Sequence, residues 1–459
     1  MTTVNGGISF WYAATGLPER RPALAGDIEA DVCVVGGGYT GLWTAYYLKQ
    51  AAPELEVVVL ESEFCGYGAS GRNGGWLYNG IAGRGRYARL HGEDAARRLQ
   101  LAMNDTVSEA LRAAEAEGID CDAHRGGVLE LARTPAQLSR LKDRFAHEQA
   151  FGVDEVHLLS AEQAAERLSV PGVLGATWTP NGARVHPAKL VVGLAAAAER
   201  SGVRIHESTP VTTIAPGRVG TAHGSVKARA VLRCTEGFTA NLAGQKRSWL
   251  PMNSSMIATE PLPAEVWDAI GWEGREVLGD EAHAYMYAQR TADDRIALGG
   301  RGYPYRYGSR IDQDGATPDG TVAQLREILR KMFPAAADAR IDHAWSGVLG
   351  VPRDWCAAVD LDPATGLGFA GGYVGSGVAT SNLAGRTLRD LTLRHLGKGE
   401  RTELTELPWV GHRVRRWEPE PLRWLGVHGL YAAYRHADRH EHAATSPLAG
   451  LADRISGRG

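Results

Sequence analysis

The stretch DVCVVGGGYTGLWTAYYLKQ (31–50) runs from a β-branched apolar segment through a glycine cluster into a helical repeat. DVCVV is apolar on both faces, as a buried parallel strand must be. Leu42, Ala45 and Leu48 then recur at helical spacing, Pro53 closes that helix, and LEVVVL (55–60) reads as a second buried strand running into Glu61. Between the first strand and the helix, Gly36, Gly38 and Gly41 make G-x-G-x-x-G. In that motif the first glycine permits a tight turn, the second lets a pyrophosphate approach the backbone, and the third lets helix pack on strand. Free amides at the helix N-terminus attract phosphate oxygens, and Glu61 is placed to accept hydrogen bonds from ribose hydroxyls. The unit predicts a bound dinucleotide and leaves nicotinamide against flavin open.

Bulk properties narrow the class. At 459 residues the chain is too long for one typical hydrophobic core, so two successive or interleaved domains are expected. A formal net charge of -3 and the lack of any long Lys or Arg run speak against a nucleic-acid partner. The five cysteines are odd in number and scattered without C-x-x-C spacing, which argues against a disulfide framework or a zinc site and suits a reducing cytoplasm. The N-terminus lacks the basic and apolar regions of a secretory signal, and no stretch approaches the ~18 apolar residues of a membrane helix. A cytoplasmic location is the expectation.

Further along, RVHPAKLVVGLAAAAERSG (184–202) reads as a helix with Pro187 in its first position and Gly202 at its stop. VRIHE and RAVLRCT read as strands of the same layer as the first two. GGVLELAR, ATWTPNGARV, SSMIATEPL, AYMYAQRT, RIALGG and AWSGVLGV are short and aromatic or β-branched, and predict an antiparallel sheet in a second domain. Residues from about 81 to 151 are rich in Ala, Leu, Glu and Arg and otherwise predict helices. The tail from 401 carries Trp409, Trp417 and Trp424 among arginines and histidines. It reads as a helical cap with a solvated basic face, with a subunit contact and a membrane-surface helix as the other readings. His436, Asp438 and His440 mimic a metal spacing there, but Ala437 replaces the glutamate of H-E-x-x-H, and no metal site is expected.

GYGASGRNGGW (66–76) follows the second strand, where a nicotinamide enzyme would usually enter another βαβ repeat. Together with GGYVGSGVATSNLAGRTLRDL (371–391), a late glycine turn feeding a helix, it resembles the D-amino-acid-oxidase-like FAD oxidoreductases over about residues 28–398. The branch containing gamma-glutamylputrescine oxidase is the most similar, and His186, Pro187 and Leu190 (H-P-x-x-L) fit it. The resemblance implies a mixed α/β fold: a Rossmann-type FAD-binding domain interleaved with an antiparallel-sheet α+β substrate domain, followed by a helical C-terminal tail. The FAD-binding domain would comprise 28–80, 181–250 and 352–398, the substrate domain 81–180 and 251–351, and the extension 399–459. By the same resemblance Val211 lies at the adenine, and Ser70, Gly71, Arg72, Asn73 and Gly74 run beside the isoalloxazine. Gly375, Ser376, Gly377, Val378 and Ala379 direct amides at its N1 and O2 edge, where a helix N-terminus stabilises developing negative charge. FAD is expected to be non-covalent, with Cys65 and Cys356 as buried unreactive thiols.

The reaction implied is hydride removal from the carbon beside a neutral primary or secondary amine, with hydrolysis of the resulting imine. Oxygen or another acceptor would reoxidise the flavin. Sarcosine-oxidase-like relatives hold the substrate carboxylate with an Arg and a Lys that fall here near Gly75 and Ala379, and their oxygen-activating Lys falls near Ala297. Tyr285, Tyr287, Arg301 and Trp345 are candidates for the substrate pocket, the tyrosines as an aromatic slot and Arg301 for a distal carboxylate or phosphonate; core packing for the tyrosines and a surface salt bridge for Arg301 are the competing readings. Two functional alternatives stay open: a D-amino-acid or N-substituted-glycine dehydrogenase, and a non-catalytic FAD-binding subunit. The oligomeric state is not legible.

Overall fold

The computed structural model describes residues 3–153, 155–441 and 446–456. Its first layer is an eight-stranded sheet. Ile28–Val35 lies at its centre, parallel to Val57–Leu60 on one side and to Ser225–Arg233 on the other, and Arg204–His206 extends it beyond Val57–Leu60. Leu367–Gly371 pairs in parallel with Ser225–Arg233. The central residues Val32, Val34, Val57, Val58 and Val59 are fully buried, which explains why both strands read as continuous apolar runs. The helices Tyr39–Ala51, Pro187–Arg200 and Gly377–His395 contribute Leu42, Leu194 and Leu383 to the core on this sheet.

The second layer is a nine-stranded sheet built on Leu250–Thr259 and Ile341–Val351, which pair antiparallel over ten residue pairs. GGVLELAR, SSMIATEPL, AYMYAQRT, RIALGG and AWSGVLGV each place a strand in it, as does the first half of ATWTPNGARV. The sheet is not wholly antiparallel, because Val277–Asp280 runs parallel to Val128–Ala132 and Val4–Asn5 parallel to Ile341–Val351. Gly182–Arg184 leaves the sheet and pairs with Trp76–Tyr78, forming a two-stranded link between the layers.

Two packing relations depart from the sequence reading. The helices Arg84–His91 and Glu93–Ala116 fall within 81–180, yet Tyr87, Leu99, Met103 and Val107 pack in the core of the eight-stranded sheet. Their apolar faces meet the helices beneath that sheet, a tertiary pairing that periodicity cannot specify. The basic tail is also less solvated than expected. Arg423 is buried against Glu420 at 3.0 Å, Trp417 donates to the Val351 carbonyl at 2.7 Å, and Arg435 donates to the Gly302 carbonyl. The helix Leu422–His440 therefore clasps the end of the nine-stranded sheet. Its Asp438 accepts from the backbone N–H groups of His283 and Ala284 rather than facing a metal-like pair. No helix among the described residues is long and apolar enough to cross a membrane.

Candidate active site

The first glycine turn is built as its sequence requires. Gly36 has φ +109°, and a Cβ on it would stand 2.6 Å from the Cys234 carbonyl oxygen, so only glycine fits without displacing backbone. A Cβ on Gly41 would lie 2.0 Å from the Gly36 carbonyl oxygen, which is the close helix-to-strand approach assigned to the third glycine. At the end of the second strand the Glu61 carboxylate accepts from the Gly37 N–H at 2.7 Å and the Glu63 N–H at 3.0 Å. Burial raises its pKa, opposed by those two hydrogen bonds.

A cavity of about 480 Å³ runs along this turn. Gly36, Gly38, Glu61, Ser70, Asn73, Val211, Gly375, Gly377 and Val378 line it, so residues far apart in sequence meet in one space. The helices Tyr39–Ala51 and Gly377–His395 both begin at this cavity, and neither N-cap residue supplies a side-chain cap. Two helix starts without an N-cap side chain, together with the Glu61 carboxylate, suit a ligand carrying phosphates and a ribose. The residues present fit a flavin dinucleotide.

Other candidates lie behind that wall. Gly71 packs on Gly66 and Tyr12, where a Cβ would stand 2.4 Å from the Gly66 carbonyl oxygen. The Arg72 side chain turns away from the cavity, its Nε donating to the Tyr67 carbonyl and its Nη2 to the Gln313 carbonyl, both at 2.8 Å. Ala379 is fully buried in the core. Ser70 sits nearer the phosphate turn than the resemblance implies: its Oγ accepts from the Tyr39 N–H at 2.9 Å, occupying one of the orphan donors at that helix start.

Of the substrate-pocket candidates, Tyr285, Tyr287 and Arg301 come together. Arg301 Nη2 donates to the Tyr285 hydroxyl at 3.0 Å, and the Tyr287 hydroxyl shares a hydrogen bond with Ser254 at 2.8 Å. The Tyr287 ring backs the glycine-rich loop, since a Cβ on Gly74 would meet it at 2.8 Å. Tyr78 joins the group by a 2.8 Å hydrogen bond to Ser376. Burial pushes the Tyr78 and Tyr287 phenols up to about 12, keeping both neutral donors at ordinary pH. Trp345 is corrected. It has 0 % exposure, packs with Phe10, Trp11 and Met256, and donates to the Arg72 carbonyl at 2.8 Å. It supports the loop from behind and forms no pocket wall.

Glu236 is a site residue that the sequence reading passed over. Its buried carboxylate accepts from the N–H groups of Gly350 (2.5 Å), Gly372 (2.8 Å) and Tyr373 (3.1 Å), fixing the second glycine turn against the nine-stranded sheet. It stands just beyond the carboxyl end of the parallel strand Ser225–Arg233, the place where α/β sheets build ligand sites. That position was the available signal. Asn73 is held from outside by a further unpredicted element, the helix Phe10–Thr15, whose Trp11 donates to the Asn73 carbonyl at 2.8 Å.

The family model described as FAD dependent oxidoreductase matches residues 31–391, most of the chain. The chain belongs to this family. As an FAD-dependent oxidoreductase it is 32% identical over 423 residues to the gamma-glutamylputrescine oxidoreductase of Escherichia coli K12, covering 89% of this chain and 94% of that one. It is 24% identical to the glycine oxidase of Bacillus licheniformis, covering 81% and 95% respectively. The crystal structure of glycine oxidase from Geobacillus kaustophilus shares the fold of this oxidoreductase, with a TM-score of 0.67 at 22% identity over 84% of this chain and 99% of that chain. The cysteines beside the cofactor motifs are fully shielded. Burial pushes the Cys356 thiol up to about 12 and the Cys65 thiol well above its ordinary value.

Proposed function

We propose that this FAD-dependent oxidoreductase oxidises a primary or secondary amine, in keeping with its likeness to gamma-glutamylputrescine oxidoreductase. The observation that carries the reading is the meeting of two unlike surfaces at Gly375. Gly375 lines the glycine-turn cavity, and a Cβ on it would stand 3.7 Å from Arg301 Nη2 and 3.8 Å from the Tyr285 hydroxyl. The chemistry FAD supplies when bound is two-electron acceptance from the carbon beside a neutral amine, which leaves an imine that hydrolyses in water.

The chain's own residues do the rest. Glu61 would hold the ribose, Val211 would border the adenine, and the Tyr39 and Gly377 helix starts would stabilise the phosphates and the pyrimidine edge of the flavin. Asn73 and Gly74 would border the ring system and Ser70 the phosphate turn, with Gly41, Gly71 and Arg72 shaping the backbone behind. Tyr78, Tyr285 and Tyr287 would orient the amine and exclude water. Residues 28–80, 181–250 and 352–398 carry the cofactor, and 251–351 most of the substrate wall. FAD is held without a covalent bond, because the neighbouring thiols are buried and protonated. Five buried, unpaired cysteines suit a reducing compartment such as the cytoplasm. Electrons leave to oxygen or to another acceptor.

Anaerobic mixing of the purified yellow protein with gamma-glutamylputrescine, simple amines and amino acids tests the proposal. Rapid loss of oxidised flavin absorbance with one of these amines is expected, and admitting air then separates oxidase from dehydrogenase. If only α-amino acids bleach the flavin, the amino-acid dehydrogenase reading takes its place. A flavin that no compound bleaches refutes amine oxidation.

A further inference from the structure

Asp354, Cys356 and His412 bring a carboxylate, a thiol and an imidazole together outside the cofactor cavity. Their ligand atoms all lie within 4.8 Å of one another, and among the described residues no other three side chains of metal-ligating type converge so closely. All three are sheltered. The side chains of His412 and Asp354 are 6 % and 10 % exposed, and Cys356 is fully buried.

Local structure sets this meeting. The Trp355 N–H donates to the Pro352 carbonyl at 3.1 Å, and Trp355 is left-handed with φ +58°. A non-glycine residue in that region costs about 1–2 kcal/mol, and here it separates two side chains that can bind metal. The Cys356 N–H then donates to Asp354 Oδ1 at 3.3 Å, which folds the carboxylate back toward Cys356. His412 is delivered from the tail, beyond the residues matched by the family model. The Val359 N–H donates to the Trp409 carbonyl at 3.2 Å and the Gly411 N–H to the Val359 carbonyl at 3.0 Å, so the chain just before His412 is pinned beside the strand Ala358–Leu361. His412 Nε2 meets Asp354 Oδ2 at 2.8 Å, with the Tyr87 ring edge-on to the imidazole. Gly83 leaves room for the sulfur, since a Cβ there would stand 2.5 Å from Cys356 Sγ.

An Asp–His pair alone explains two of these residues and leaves the thiol idle, its Sγ donating weakly to the Asp354 carbonyl at 3.4 Å. The three together suit zinc. Thiolate, imidazole and carboxylate are its ligands, and a thiolate selects against the hard ions magnesium and calcium. Two anionic ligands and one neutral ligand balance a divalent ion, so the charge is cancelled where it is buried. Ligand atoms around a tetrahedral zinc stand about 3.5 Å apart, so the sulfur has to approach by no more than about 1.3 Å. Asp354 also lines a cavity of about 460 Å³ separate from the cofactor cavity, which gives an ion a way in and room for a water as fourth ligand. Arg86 Nε stands 3.6 Å from Asp354 Oδ2, but that side chain is 41 % exposed, so water takes over its charge when the carboxylate turns to the metal.

We propose that Asp354, Cys356 and His412 form a zinc site that ties the C-terminal tail to the turn at 352–356. Zinc binding there releases the thiol proton, and the imidazole carries its own proton on Nδ1 so that Nε2 ligates. The site stands apart from amine oxidation and does not depend on it.

The test uses the flavin-loaded full-length protein, dialysed to equilibrium against zinc buffered by a chelator, with bound metal counted by mass spectrometry. Saturation at one zinc per chain is expected in the wild type, and zinc X-ray absorption should show one sulfur at about 2.3 Å. Loss of a ligand should cost at least as much as loss of an outer-shell partner, so Cys356→Ser and His412→Ala should each bind zinc at least about 10-fold more weakly. Zinc should also raise the melting temperature of the wild type more than that of either variant. Should these variants fail to fold, the sulfur signal of the wild type and the weaker binding expected of Asp354→Asn decide. Absence of saturable zinc in the wild type overturns the proposal, as does bound zinc without a sulfur ligand. Undiminished affinity in the folded variants overturns it too, and loss of that binding in His436→Ala would then assign the ion to the stacked His436–His440 pair of the tail helix.

Discussion

The two surfaces that meet at Gly375 are made in opposite ways. The cofactor side is largely backbone: two glycine turns, two helix starts and one acid at a strand end, each encoded within a few consecutive residues. The proposed substrate side is almost entirely side chain, with Tyr78, Tyr285, Tyr287, Arg301 and Ser376 delivered by separate segments, those of Tyr285 and Arg301 held by a tail helix. Backbone sites tolerate few residue types, because a Cβ collides with main chain that cannot move. Side-chain sites can be rebuilt by substitution while the fold stands. The cofactor side should therefore fail as a unit when touched, and the substrate side should change its selectivity first.

The harshest way to break this contrast is Gly41→Val. A Cβ there would lie 2.0 Å from the Gly36 carbonyl oxygen, so strand and helix must separate. A destabilisation of about 3 kcal/mol or more is expected, together with loss of bound flavin. The flavin-to-protein absorbance ratio and the melting temperature of the purified variant check it. Full flavin content at wild-type stability would show that the turn is not the rigid element described here.

Glu61→Gln is a milder probe of the same side. The neutral amide retains one acceptor but would lose the charge-assisted bonds proposed to the ribose hydroxyls, about 1.5–3 kcal/mol. The FAD dissociation constant of the reconstituted apoprotein should rise about 10- to 100-fold. An unchanged constant would remove Glu61 from the cofactor site and leave it as a brace for the Gly37 and Glu63 amides.

These residues were legible because their constraint is local. Gly36, Gly38, Gly41 and Glu61 sit in one strand–turn–helix–strand unit, and the second glycine turn announces itself again at 371–377. The principal strands of both sheets were legible for the same reason, from short β-branched runs bounded by Gly and Pro, whereas short ones such as Val4–Asn5, His157–Leu159 and Val277–Asp280 were not. Trp345 was misplaced because an aromatic on a strand looks the same whether it faces a pocket or a core; here Phe10 and Trp11, from a helix no pattern announced, cover it. Glu236 was missed because its three partners, Gly350, Gly372 and Tyr373, are more than a hundred residues away. The tail's hold on Gly302, His283 and Ala284 was invisible on the same grounds.

A smaller effect tests the framework that joins the two sides. His186 is the N-cap of the helix Pro187–Arg200, accepting from the Lys189 N–H at 3.3 Å, with Trp11 edge-on to its ring. Burial lowers its pKa from 6.5 to about 4, against the pull of Asp122. Between those values the unfolded chain binds the proton and the folded chain does not. The stability this histidine contributes is therefore complete above 6.5 and is lost as pH falls toward 4. By about pH 5.5 the linked loss is about 1 kcal/mol. His186→Asn keeps a capping acceptor and removes the titration, so the difference between the two proteins' stability against pH isolates the effect; parallel curves would place His186 in solvent.

The smallest expected change is the one that most sharpens the contrast. Tyr287→Phe removes the hydroxyl that meets Ser254 at 2.8 Å and leaves the ring against Gly74. A neutral hydrogen bond of this kind is worth no more than about 1 kcal/mol, and the packing of the ring is retained. Flavin content should stay at the wild-type ratio and the melting temperature should fall by only a few degrees, while the ranking of amines in anaerobic flavin reduction shifts. The reasoning is that the phenol is a neutral donor, so its loss alters what the wall can hydrogen-bond and not how the cofactor is held. If Tyr287→Phe instead loses flavin as Gly41→Val does, the wall and the cradle are one cooperative unit, and the division drawn at Gly375 has to be abandoned.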